Sequence, residues 1–318
     1  MKKKILLSIA ILIVIISVIS IVAKELRTSS TWGESNEKVK VIATLFPQYD
    51  FVKQIGKDKI DVKLLLPPGI ESHTYEPTPS DIININSADL FIFTGKEMEP
   101  WADKIASSID SDTKIVDASS RVDLLKVEED DDEAEGEAHE HEHTYDPHIW
   151  LDPENAIKMV EEITYYLCSV DPEDAEYYTN NSNAYIQELK DLDSNIANII
   201  SSGTRQKVAF GGPFSYKYFV ARYGLNYISA YDGCGEETEP SVSRVKEVIE
   251  TVKEEKIPAI FYDELETSNI AMTISNESGA KALTFNTLHN LSKEKIDSGA
   301  TYISIMNENI NNLKIALN

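Results

Sequence analysis

The sequence is short of positive charge, and this shortage excludes one broad class of partners. Thirty lysines and arginines face 54 aspartates and glutamates, so the formal net charge is −24 over 318 residues. Nucleic-acid phosphates demand a basic surface, so we predict no nucleic-acid partner. The excess of acidic residues suits a soluble protein that interacts with cations. A hydrophobic content of 42% provides enough apolar residues for a folded core.

Cysteine is scarce as well. Only Cys168 and Cys234 are present, and in an exported protein they could form one disulfide. Cys168 lies in an apolar helical stretch, so a buried free thiol is an equally good interpretation. No cysteine lies near the end of the N-terminal apolar segment, which excludes a lipid-modified cysteine there.

The N-terminal segment itself is typical of export. Lys2–Lys4 precede Ile5–Ala23, a run of 19 residues without charge, long enough to span a bilayer. We predict a signal peptide or signal-anchor helix over 1–24 and a polar linker over 25–38. By the positive-inside rule the body is extracytoplasmic, attached to the membrane by this segment or secreted after its cleavage.

Hydrolase signatures are scarce too. No Gly-x-Ser-x-Gly nucleophile elbow occurs, and a His-Glu-x-x-His spacing occurs only at 139–143. That spacing lies in the acidic His-rich loop 127–144. Residues 127–142 of this loop hold ten acids and no lysine or arginine, so the loop cannot bury a core. We therefore predict a protein that is not an enzyme, with a zinc hydrolase as a low-ranked alternative.

Apolar runs alternate with helical patterns on both sides of one long polar helix. After that helix we predict strands at Lys207–Phe210 and Ala259–Tyr262, and helices over Phe214–Tyr223 and Val242–Glu254. This alternation predicts an α/β protein with two lobes, each a parallel-type sheet flanked by helices. We place the N-terminal lobe at 39–170, with an acidic His-rich loop at 127–144. One long rigid helix over 171–203 connects it to the C-terminal lobe at 204–318.

Six histidines fall into two groups. His139, His141 and His143 alternate with glutamate in the acidic loop, a composition that predicts weak, exchangeable metal binding rather than a merely solubilising linker. The other three, His73, His148 and His289, lie one in each third of the chain.

Each of these three histidines follows a strand or lies in a Pro-bounded loop. Any one alone could be an ordinary loop or structural histidine. Imidazole is the commonest protein metal ligand, so we predict that the fold brings the three together on a transition metal. Glu264 or Asp263, directly after an apolar strand, is the favoured further donor; Cys234 is an alternative, and Glu236, Glu237 and Glu239 are weaker ones.

Several stretches resemble the metal-specific solute-binding proteins of bacterial zinc and manganese ABC importers. The matching stretches cover about residues 39–317 and comprise Glu71–Asp81, Gly95 with Glu97–Trp101, Asp146–Pro153, Phe219–Leu225, Glu239–Ser241 and Phe261–Leu265. The resemblance implies two α/β lobes joined by a rigid helix, metal between the lobes, and His73 and His148 as first-lobe ligands.

The chain departs from that family at one expected ligand. Many zinc-specific members carry a histidine where this sequence reads Gly211-Gly212-Pro213-Phe214. The third ligand must then come from elsewhere, and His289 lies in a loop where family members often place one.

The prediction is therefore a monomeric extracytoplasmic receptor that captures Zn²⁺ and delivers it to the membrane subunits of an ABC permease. Three imidazoles and one carboxylate, here His73, His148, His289 and Glu264, suit tetrahedral Zn²⁺. A receptor for Mn²⁺ or iron on the same scaffold is the main alternative, since Mn²⁺ prefers more oxygen ligands. A surface adhesin is a weaker one.

Overall fold

The computed structural model describes residues 32, 38–70, 72, 75–109, 112–127, 145–231, 233, 240–266 and 268–318. Several predicted features lie outside these residues: the N-terminal segment, most of the linker, His73, the acidic His-rich run, and Cys234 with Glu236, Glu237 and Glu239. No helix within the described part of the chain is long and apolar enough to cross a membrane.

The first lobe is built on a sheet of four parallel strands in the order β2-β1-β3-β4. Its strands are β1 (Val39–Ala43), β2 (Ile60–Leu64), β3 (Leu90–Phe93) and β4 (Lys114–Asp117). Helices α1 (Phe46–Gly56), α2 (Pro79–Asn86), α3 (Pro100–Ala106) and α4 (Pro153–Val170) accompany it. Strand β3 is buried at every position, as expected for a parallel sheet covered on both faces.

The second lobe repeats this design with the order β6-β5-β7-β8, again all parallel. Its strands are β5 (Lys207–Phe210), β6 (Asn226–Ser229), β7 (Ala259–Tyr262) and β8 (Lys281–Thr284). Its helices are α6 (Lys217–Tyr223), α7 (Val242–Glu254), α8 (Asn269–Ser278), α9 (Lys293–Asp297) and α10 (Tyr302–Leu317). The predicted α/β architecture of two lobes is thus confirmed.

Helix α5 (Ala175–Ser202) joins the lobes and has 28 residues, or about 42 Å of helix. Its apolar positions recur at helical spacing and are buried, including Tyr178, Leu189 and Ile196. The helix starts later than the sequence predicted, because Pro172–Asp174 forms a separate 3₁₀ turn. Asp171 lies outside the helical region, with φ −135° and ψ 75°, and ends α4, as expected for a residue before proline.

Two further predictions of local structure need correction. The helix expected over Phe214–Tyr223 begins only at Lys217; Phe214 instead donates its amide to Gly233 O and stacks on Tyr227. The short helix α9 was not predicted.

Cys168 is a free thiol and only half-buried, near Ala175 O. The exact domain limits stay predictions.

The lobes meet over a shared core and through one helix of the second lobe. The largest cluster of buried apolar side chains includes residues of both sheets, such as Ile92 and Phe261. Arg222 at the end of α6 binds Asp152 and Glu154 at the start of α4 and Asp193 on α5. This contact holds α6 against the part of the first lobe that carries His148.

Candidate metal site

His148 is positioned by a tight turn of the first lobe. Asp146 Oδ1 accepts hydrogen bonds from the His148 amide at 2.9 Å and lies 3.1 Å from its Nδ1. The ring is buried and packs edge-on against Trp150. A carboxylate at Nδ1 requires Nδ1 to carry the proton, so Nε2 is the nitrogen with the lone pair for a metal.

His289 is positioned in the same way through an intermediate hydroxyl. Thr287 Oγ1 donates to Asp263 Oδ2 at 2.9 Å and also contacts His289 Nδ1. Because the hydroxyl proton goes to the carboxylate, His289 Nδ1 must be the donor to Thr287. Nε2 of His289 therefore carries the lone pair, and both imidazoles are set in the tautomer that binds a metal through Nε2.

The loop that carries His289 contacts both first-lobe loops of interest. The carbonyl oxygen of Thr287 in this loop accepts a hydrogen bond at 2.7 Å from Nε1 of Trp150, which lies two residues after His148. Its Asn290 Nδ2 donates to Pro67 O at 2.7 Å and Ile70 O at 2.9 Å, in the turn that leads to residue 73. These contacts bring the His289 loop together with Trp150 and with the turn Pro67–Ile70 at one junction between the lobes. His73 lies outside the described residues.

The carboxylates named from the sequence occupy different roles. Asp263 is buried, and it accepts from the Leu265 amide and from both the amide and hydroxyl of Thr287. Three hydrogen bonds on this carboxylate make it an orienting group for the His289 loop. Glu264 forms an ion pair between its Oε2 and Lys295 Nζ at 2.9 Å. Its buried Oε1 has no hydrogen-bond partner within the described part of the chain.

Among the described residues, no group of three or more histidine, cysteine, aspartate and glutamate side chains comes together as a metal cluster. His73, Cys234, the glutamates Glu236, Glu237 and Glu239, and the histidines of the acidic run are outside that search. His148 and His289 are described, and each is buried at the junction. The complete ligand set therefore stays a prediction.

Two carboxylates to which the sequence analysis gave no role, Glu266 and Glu99, have buried oxygen atoms. Glu266 Oε2 is buried and would lie 2.9 Å from a Cβ on Gly212, in the segment where a family histidine is missing. Glu99 is fully buried, and this burial raises its pKa to about 7 although Thr94 N donates to its Oε2 at 2.8 Å. Only tertiary packing shows that either carboxylate is buried.

Two parallel-sheet lobes joined by a long helix, with one oriented imidazole from each lobe at their junction, fit a two-lobed receptor that binds a metal ion between its lobes. The chain belongs to the family described as zinc-uptake complex component A, periplasmic, whose model matches residues 41–316.

Named relatives agree with this assignment. The high-affinity zinc uptake system protein ZnuA of Bacillus subtilis is 40% identical over 294 residues, covering 91% of this chain and 92% of that protein. The zinc-binding lipoprotein AdcA of Streptococcus pneumoniae is 34% identical over 93% of this chain, which spans 59% of that longer protein. The Zn(II)-bound ZnuA-like domain of the same AdcA superposes with a TM-score of 0.74 at 32% identity, covering 88% of this chain and 99% of that domain.

Proposed function

We propose that this chain is an extracytoplasmic receptor that captures Zn²⁺ between its lobes and delivers it to an ABC permease. The observation that carries the proposal is the matched setting of two imidazoles, one from each lobe, with Nδ1 of each engaged by an oxygen. Such outer hydrogen bonds fix the tautomer and raise the basicity of metal-ligating histidines. The zinc-related names of the relatives support the same metal.

The proposed ligands are His73, His148, His289 and Glu264. Three nitrogens and one oxygen fit tetrahedral Zn²⁺. For Glu264 the support is its buried Oε1, which remains available in the described structure while Oε2 pairs with Lys295. Cys234 is the alternative fourth donor, and a thiolate would also favour Zn²⁺ over Mn²⁺.

The complete receptor is proposed to act as a monomer in the extracytoplasmic space. We infer that its N-terminal segment either anchors it or is removed, and that 139–143 collects metal weakly. A two-lobed receptor of this kind binds its cargo and has no reaction to catalyse, so we also propose that it is not an enzyme.

Zinc titration of ligand variants tests the site. We expect His73→Ala and His148→Ala each to weaken tight zinc binding by at least a hundredfold, because removing one of four ligands leaves a poor site. His141→Ala is the matched control, since it also removes one imidazole but from the acidic run. Its tight affinity should match wild type. Wild-type affinity in His148→Ala would refute the proposed site.

Competition between metals tests the cargo. Zn²⁺ should displace Mn²⁺ from the purified receptor at equimolar concentration, since imidazole-rich sites prefer Zn²⁺. Deleting the chain from its host should lower zinc uptake at limiting zinc. If manganese uptake falls while zinc uptake is unchanged, the manganese receptor is the correct assignment.

A further inference from the structure

The Tyr218 hydroxyl crosses from the second lobe to the turn that positions His148. Tyr218 lies on α6 and is only 3% exposed. Its hydroxyl accepts from the Leu125 amide at 2.9 Å and lies 3.1 Å from Asp146 O, to which it donates. These two partners lie 93 and 72 residues away in sequence, so only the fold creates the contact.

The two segments that Tyr218 holds are also paired with each other. The Asp146 amide donates to Leu125 O at 2.9 Å, and Lys126 and Tyr145 form an isolated antiparallel bridge. One hydroxyl therefore fastens both chain segments of this short pair. The second of these two segments continues into the tight turn in which Asp146 Oδ1 orients the His148 ring.

The hydroxyl keeps its proton for this role at any physiological pH. Burial raises the pKa of Tyr218 to about 12, and the nearby Asp146 adds to the increase. A tyrosine hydroxyl has one donor and can also accept, so the contacts with Asp146 O and the Leu125 amide use both capacities. Phenylalanine would keep the ring in its packing and remove both hydrogen bonds.

We propose that Tyr218 is an inter-lobe positioning residue for zinc, which holds the Asp146 turn so that His148 keeps its metal-binding orientation. This inference rests on the proposed function, because it takes His148 as a zinc ligand. A zinc ion bound at the junction would be released faster when Tyr218 no longer ties the second lobe to that turn.

The test compares two variants on the same helix. Tyr218→Phe removes the contact with the His148 turn. Tyr223→Phe is the matched control, because its hydroxyl donates instead to Asp193 Oδ1 on α5 at 2.8 Å. The zinc dissociation rate is measured by stopped flow with an excess of chelator, and the melting temperature of the metal-free protein is measured in parallel.

We expect Tyr218→Phe to speed zinc dissociation roughly three- to tenfold, as the loss of one or two net hydrogen bonds implies. Tyr223→Phe should lower the metal-free melting temperature to a similar degree and change the dissociation rate less than twofold. If Tyr218 acts through Asp146, the effects of Tyr218→Phe and Asp146→Asn should combine to less than their product. Equal rates in the two tyrosine variants would overturn the inference.

Two further measurements separate the possible failures. If His148→Ala keeps tight zinc binding, the proposed site fails; if only Tyr218→Phe has no effect, the positioning role alone fails. The wild-type protein supplies a check that needs no variant. Zinc should slow hydrogen exchange at the Leu125 amide, which donates a hydrogen bond to the Tyr218 hydroxyl. Unchanged exchange at Leu125 with zinc bound would contradict the link.

Discussion

Thr287→Val is the sharpest test of how the second lobe prepares its imidazole. Thr287 is buried, and its hydroxyl stands between Asp263 Oδ2 and His289 Nδ1. Valine has nearly the same shape, so packing is retained while the hydroxyl is lost. The Thr287 amide still donates to Asp263 Oδ2 at 2.6 Å, so the loop keeps one of its two ties to that carboxylate.

The expected loss follows from the hydrogen bonds removed. A buried donor left without an acceptor costs about 1–3 kcal/mol, and removing an outer partner of a metal-ligating histidine typically weakens binding by about 10- to 100-fold. We predict a loss of about tenfold in zinc affinity, which corresponds to about 1.4 kcal/mol. The zinc-induced rise in melting temperature should therefore shrink by roughly 2 to 3 °C.

The assay is isothermal titration with zinc, supported by thermal unfolding with and without the metal. Thr284→Val is the control, because Thr284 lies at the end of β8 and its hydroxyl accepts from Asn312 Nδ2 at 3.3 Å. It should leave zinc affinity within twofold of wild type. Unchanged affinity in Thr287→Val, with a lower metal-free melting temperature, would show that the hydroxyl supports folding but does not prepare His289.

Three other changes give distinct outcomes. Burial raises the pKa of Glu99 in the folded protein from 4.5 to about 7, so unfolding between these pH values releases a proton. The free energy of unfolding should therefore fall by up to about 3 kcal/mol as the pH rises from 4.5 to 7, and Glu99 should add no further change above pH 7. Glu99→Gln should remove this pH dependence, measured by urea unfolding at pH 5 and pH 8. Deleting 128–143 and joining the ends with a short glycine turn should lower the number of weak zinc sites by titration and leave one tight site, because the flanking segments are already bridged. His289→Ala should shrink the zinc-induced rise in melting temperature nearly as much as loss of His73, while Cys234→Ser should shrink it less.

Each of these three has an outcome that contradicts it. The same pH slope in Glu99→Gln as in wild type would exclude Glu99 as its source, and Glu97→Gln is the control for the loss of a nearby carboxylate. Loss of the tight site in the deletion would make the acidic run part of that site. A full zinc shift in His289→Ala, together with none in Cys234→Ser, would show that the site uses the Cys234 thiolate and that the assignment of His289 is wrong.

The sequence alone determined the positions of most elements because they depend on local patterns. The strands Lys207–Phe210 and Ala259–Tyr262 were predicted at their observed bounds, since short apolar runs between polar segments indicate strands of a buried parallel sheet. Helix Val242–Glu254 was also predicted at its bounds, because Ser241 caps it and its apolar residues recur at helical spacing.

Local patterns were weaker where a side chain's partner is distant. The delayed start of α6 at Lys217 depends on Phe214 stacking against Tyr227, and no local propensity contains that contact. The candidate ligands His148 and His289 could be named from the sequence because histidine is rare in it and metals favour imidazole. Their orientation could not.

Tertiary structure alone decided which groups prepare the histidines. Asp263 was predicted as a possible ligand, yet its carboxylate binds Thr287, 24 residues further along the chain. Tyr218 had no predicted role, and it reaches Asp146 across the lobes. Hydrogen bonds of this kind form only when packing brings distant backbone and side-chain groups within about 3 Å. Composition and residue spacing therefore cannot predict them.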